Sequence, residues 1–130
     1  MKFKYHYLLT PAIYLLISYL CLTSNPIPSS FHFTLFGIPN ADKWVHGILY
    51  FTLTSATMFE LFKMNKYTQG RLPLIWAIIL PILFGGAMEL AQLYWIVGRS
   101  AEWSDFAANS VGVIFGYFAS RGLLNRLSSK

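Results

Sequence analysis

Charge is what this chain has least of. Asp, Glu, Lys and Arg make up only 12% of its 130 residues, about half the usual share of a soluble domain. A chain this short has much surface per unit volume, so few charges cannot coat it against water. Cysteine is nearly absent as well. The single Cys21 excludes an internal disulfide and with it a disulfide scaffold. There is no Gly-rich phosphate loop and no Cys/His metal spacing, so no cofactor and no metal are called for; His46, Glu89 and Asp105 allow a metal site, but nothing in the spacing demands it. Internal repeats and low-complexity tracts are missing too. What is present is apolar: 55% hydrophobic residues, with 18% aromatic. That composition excludes disorder and a coiled coil.

The apolar residues fall into four stretches, 5–23, 44–62, 73–97 and 105–120. Each approaches the roughly 20 residues needed to cross a bilayer core as a helix, the fourth being the shortest. Barrel strands would alternate apolar and polar positions, and these runs are continuous. The expected fold is an all-α membrane protein, one domain over residues 1–130, built as a bundle of four transmembrane helices. Asn25-Pro26-Ile27-Pro28 ends the first helix, because proline removes a donor. The apolar segment 31–38 is too short to span and is expected at the interface. The first run is long for a signal peptide and lacks an Ala-x-Ala-like site, so an uncleaved helix is expected.

Basic residues set the orientation. Lys2, Lys4, Lys63, Lys66, Arg71, Arg121, Arg126 and Lys130 fall on one side, Lys43 and Arg99 on the other. Both termini are therefore expected in the cytoplasm. The net charge of +5 then serves anionic headgroups, and no nucleic-acid partner is implied.

An ionisable residue inside a span costs roughly 2.5–3.5 kcal/mol on insertion scales and needs a reason. Glu89 is the clearest case, eight residues before Val97 and thus about 12 Å from that end. Gln92 shares its face. The second helix offers Asp42, Lys43 and His46, and its inward face continues through Leu49 and Leu53 to Glu60. The fourth offers Asp105, Asn109, Gly112 and Gly116, which fall on a stripe about 60° wide. The loop before it adds Arg99, Ser100 and Glu102. Glu60 falls at the cytoplasmic end, whereas topology puts Asp42, His46, Glu89, Gln92, Arg99, Asp105 and Asn109 in the outer half of the membrane, as one outward-facing polar pocket walled by Trp44, Tyr50, Tyr94, Trp95 and Trp103. His46, Glu89 and Asp105 are the candidate catalytic groups, with His46 and Glu89 suited to proton transfer. Asp42, Lys43, Gln92, Arg99 and Asn109 are the candidate ligand-binding set.

Plainer roles stand beside these. Glu89 can pair with Arg99 or Lys43. His46 can be a packing histidine, and Asn109 interhelical glue. Asp42 and Asp105 can cap their helices. Glu60 is expected to pair with Lys63, and Gly112 and Gly116 to serve helix packing.

Asp42-Lys43-x-x-His46-x-x-x-Tyr50, then Glu89-x-x-Gln92, Gly98-Arg99-Ser100 and Asp105-x-x-x-Asn109-x-x-Gly112-x-x-x-Gly116, resembles in order and spacing the pattern of VanZ-like membrane proteins. The likeness covers about residues 39–119. It implies a small helical protein of the bacterial cytoplasmic membrane. The family's namesake raises resistance to teicoplanin, a glycopeptide antibiotic with an acyl tail. By motif position the likeness points to Asp42, Lys43, His46, Glu89, Gln92, Arg99, Asp105 and Asn109. The expected function is binding or modification of an amphiphile at the outer leaflet: a membrane lipid, a cell-envelope intermediate or an acylated antibiotic. An enzyme acting on such a lipid, a small transporter (with a path completed by dimerising) and a structural partner in a membrane complex remain alternatives.

Overall fold

The computed structural model describes residues 8–23, 41–98 and 100–129. The prolines after Asn25, the segment 31–38, Lys2, Lys4, Arg99 and Lys130 lie outside the described residues. Within them the chain is all helical, with four helices and no strand: α1 (Leu9–Leu22), α2 (Ala41–Lys63), α3 (Leu72–Trp95) and α4 (Trp103–Ser128). The fourth helix is longer than its apolar run, since its polar last turns continue past residue 120.

Only α3 is long and apolar enough to cross a membrane by itself among the described residues. The expectation of four such spans is therefore met in helix number alone. α1 is apolar but has 14 residues. α2 and α4 are long enough, but Asp42, Lys43, His46 and Glu60 in one and Asp105, Asn109, Arg121 and Arg126 in the other dilute their apolar character. The apolar window of α3 is 28% buried within the molecule. Its apolar surface therefore faces mainly outward, unlike the core helix of a soluble protein.

The helices alternate in direction. Glu60, at the C-terminal end of α2, accepts hydrogen bonds from the Leu9 and Thr10 amides at the start of α1, at 3.0 and 3.1 Å. These bonds complete the account of that helix end: Pro11 has no N–H, and Ala12 donates to the Leu8 carbonyl. Glu60 thus does not pair with Lys63, whose ammonium lies over the Phe59 ring. At the other end of α1, Gln92 of α3 donates to the Cys21 carbonyl at 3.0 Å. Lys63, Lys66, Arg71, Arg121 and Arg126 accordingly gather at one end of the bundle. Asp42, Lys43, Glu102 and Asp105 gather at the other.

Local sequence explains the helix ends. Asn65 adopts a left-handed conformation (φ 56°) just past α2. Its N–H donates to Phe62 and that of Lys66 to Leu61, closing the helix as asparagine at this position allows. Gly98, at φ 83°, turns the chain from α3 towards α4.

The most extensive packing joins α2 and α4. It rests on glycine. A Cβ on Gly112 would fall onto the Gly47 carbonyl, and one on Gly116 would stand 2.8 Å from the Phe51 carbonyl oxygen. Small residues at four-residue spacing let the two backbones meet. Ile17, Cys21, Tyr50, Leu53 and Val113 form the core at the acidic end, and Met58, Ala77, Tyr117 and Leu124 at the basic end.

In α3, Pro73, Ala77, Pro81, Gly85 and Glu89 are buried at four-residue spacing. Such spacing drifts around a helix of 3.6 residues per turn, and a π-helical stretch, Ile75–Ile79, absorbs part of the drift. Pro81 cannot donate to the carbonyl four residues back, that of Ala77. The fully buried Thr54 hydroxyl of α2 donates to that oxygen instead, at 3.1 Å.

Candidate functional site

At the acidic end, α2, α3 and α4 converge. Lys43 is the hub. Its Nζ lies 3.0 Å from Asp105 Oδ1, 3.2 Å from Glu102 Oε2 and 3.3 Å from Asp42 Oδ2. The hydrogen bond to Asp105 does most to hold the ammonium above its ordinary pKa; desolvation opposes it, and Glu102 and Asp42 add to it. For Asp42, partial burial pushes the carboxyl up, but the hydrogen bonds and charge of Lys43 bring it below its ordinary value. Asp42 and Asp105 occupy the first turns of their helices, where negative charge is favoured. α4 has no side-chain cap, so the capping role expected of Asp105 gives way to the bond with Lys43.

One turn further in, His46 Nδ1 and Asn109 Oδ1 are 3.0 Å apart. A carbonyl oxygen only accepts, so Nδ1 donates and Nε2 faces any second partner. Asn109 is 1% exposed. Gly85 makes room for it: a Cβ there would lie 3.4 Å from the Asn109 side chain and 3.3 Å from the Tyr50 ring. The Asn109 amide nitrogen and the Tyr50 hydroxyl are buried without a hydrogen-bond partner among the described residues.

Glu89 is buried on the inward face of α3. Its Oε2 accepts a long hydrogen bond, 3.4 Å, from the Glu102 amide. Donor atoms of His46, Glu89 and Asp105 all lie within 4.8 Å of one another. The three candidate catalytic groups, from three helices, therefore meet at one point.

Other expected members are placed differently. Gln92 is buried on the face of Glu89 but is engaged with the Cys21 carbonyl, tying α3 to α1. Arg99 lies outside the described residues. Trp44, Tyr94 and Trp95 do not wall the pocket; they are 64–76% exposed and point away from the bundle. Tyr50 is fully buried beneath the cluster, and Trp103 lines a different feature. Gly112 and Gly116 are buried against α2 in the same chain, which leaves that stripe no surface for another protein.

Glu102 is the residue whose part sequence alone understated. It precedes α4 by one residue, binds Lys43 through its side chain and Glu89 through its amide. Its spacing of three from Asp105 is the signal that both reach one cation.

Beside the cluster a groove of about 700 Å³ runs along α3 and α4. Ile82, Gly86, Leu90, Leu93, Trp103 and Phe106 form its apolar walls, and Glu89 and Glu102 also line it. Periodicity could not reveal it, because nearly every residue around it is apolar. Comparison of the chain with protein-family models, with curated proteins and with solved structures finds no match.

Proposed function

We propose that the chain is a multi-pass, VanZ-like protein of the bacterial cytoplasmic membrane that binds an amphiphile at its outer face. One observation carries this reading: an apolar groove continues into a polar cluster, and Glu89 and Glu102 belong to both. The groove takes an acyl tail. The carboxylates and Lys43 engage a headgroup bearing hydroxyl, amine or phosphate groups.

Several features support the membrane setting. α3 turns its apolar surface outward. Exposed Trp44, Tyr94, Trp95 and Trp103 cluster towards one end, as interfacial aromatics do. The basic residues collect at the opposite end, which is then the cytoplasmic one. Polar pairing inside the bundle suits lipid, where a carbonyl such as that of Ala77 has no water to turn to. The candidate ligands are membrane lipids, cell-envelope lipid intermediates and acylated glycopeptides. Binding alone is the simplest use of the site; the approach of His46 to Glu89 favours proton transfer to a bound headgroup as a second reading.

The test is native mass spectrometry of protein extracted gently from its own membrane. Wild type should carry a lipid-sized adduct. Leu90→Trp, which fills the groove without touching the polar cluster, should lose it while remaining folded. An adduct retained equally by both, or absent from both, overturns the proposal.

A further inference from the structure

We infer that His46, Glu89 and Asp105 form a binding site for one divalent transition-metal ion, taking one imidazole and two carboxylates, for which Zn²⁺ is the probe. The three residues come from α2, α3 and α4, are half-buried or buried, and have donor atoms within 4.8 Å of one another. Carboxylate and imidazole donors bind zinc at about 2.0–2.2 Å. Donors so gathered need only side-chain adjustment to close on one ion.

The surroundings are those of an oriented ligand set. Metal-binding histidines usually donate their second ring N–H to an oxygen, which fixes the tautomer. Here His46 donates from Nδ1 to the buried Asn109 carbonyl oxygen. Asp105 is held by Lys43 and Glu89 by the Glu102 amide. Two buried donors, Asn109 Nδ2 and the Tyr50 hydroxyl, have no partner among the described residues. Both suit an oxygen ligand of the metal, such as water or a phosphate.

Charge points the same way. Asp42, Glu89, Glu102 and Asp105 bring four carboxyl groups to this end. Lys43 binds Asp42, Glu102 and Asp105. A second acidic trio, Asp42, Glu102 and Asp105, also lies within 4.8 Å, but the Lys43 ammonium already binds all three. Of the His46 trio only Asp105 is a Lys43 partner, and His46 adds an imidazole donor that the acidic trio lacks. This inference does not rest on the groove's occupant.

The test uses the tag-free full chain in detergent, stripped with a chelator and titrated with Zn²⁺ by calorimetry. One ion per chain should bind. His46→Gln, Glu89→Gln and Asp105→Asn should each weaken binding by more than tenfold, and Asn109→Ala by about 10–100-fold as an outer-shell partner. Glu60→Gln, at the opposite end, should bind as wild type. Should a variant fail to fold, X-ray absorption of the wild-type zinc adduct decides without it. A first shell of oxygen and imidazole nitrogen at about 2.0–2.2 Å is expected. No saturable binding, full binding by the three ligand variants, or a shell lacking imidazole overturns the inference. Lipid retention by the groove is a separate readout, so either proposal can fail alone.

Discussion

His46 of α2 and Asn109 of α4 are joined at 3.0 Å, Nδ1 to Oδ1, one turn below the Lys43 hub. With Oδ1 as acceptor, this bond places the ring proton on Nδ1 and leaves Nε2 as the acceptor nitrogen. In Asn109→Ala the restraint is gone, and the ring should redistribute between tautomers. Nitrogen NMR of selectively labelled histidine reads this directly. An unchanged His46 pattern in the variant would show that the bond does not orient the ring.

Gly112 and Gly122 stand on the same helix in opposite circumstances. A Cβ on Gly112 would meet the Gly47 carbonyl, whereas one on Gly122 has nothing within 4 Å. Gly112→Ala should therefore destabilise by at least about 1–3 kcal/mol, as overpacking against backbone does. Gly122→Ala should stabilise by roughly 0.5–1 kcal/mol, by reducing backbone freedom in the unfolded chain. Thermal unfolding in one detergent compares the pair.

Thr54 supplies the donor that Pro81 withholds from the Ala77 carbonyl. Thr54→Val keeps the shape and removes the hydroxyl. The expected loss is about 0.6 kcal/mol, the average for interhelical hydrogen bonds in a membrane protein, and at most about 1.7 kcal/mol, and Thr54→Ser should recover most of it. Equal melting temperatures for the valine and serine variants would mean that the bond contributes nothing net.

Glu60 terminates α1 from a distant position in sequence. Glu60→Leu should cost about 0.5–2 kcal/mol, the range for loss of a helix cap. Glu60→Gln keeps an acceptor oxygen and should cost less. Amide hydrogen exchange at Leu9 and Thr10 should rise in the leucine variant only.

Where chemistry depended on spacing along one helix, the sequence was readable. Asp42 and His46 are four apart, as are Asp105 and Asn109, and a helix of 3.6 residues per turn must put each pair on one face. The buried carboxyl of Glu89 stood out because its neighbours are apolar. The pairing of Glu60 with α1 was not readable, because its partners lie about 50 residues away and are backbone amides. The groove was equally hidden: in a chain this apolar, no pattern separates a residue that lines a cleft from one that faces outward.

The four helices among the described residues, their polar faces and the gathering of Lys63, Lys66, Arg71, Arg121 and Arg126 at one end were legible from sequence. Composition and helical period act locally and leave few alternatives. That donor atoms of His46, Glu89 and Asp105 come within 4.8 Å of one another follows from packing. That depends on how closely three helices approach, and here the approach is set by Gly112 and Gly116 against α2 and by Gly85 beneath Asn109. A shift of either contact by one helical turn would leave every face as read and still separate the three groups by about 5 Å along the bundle.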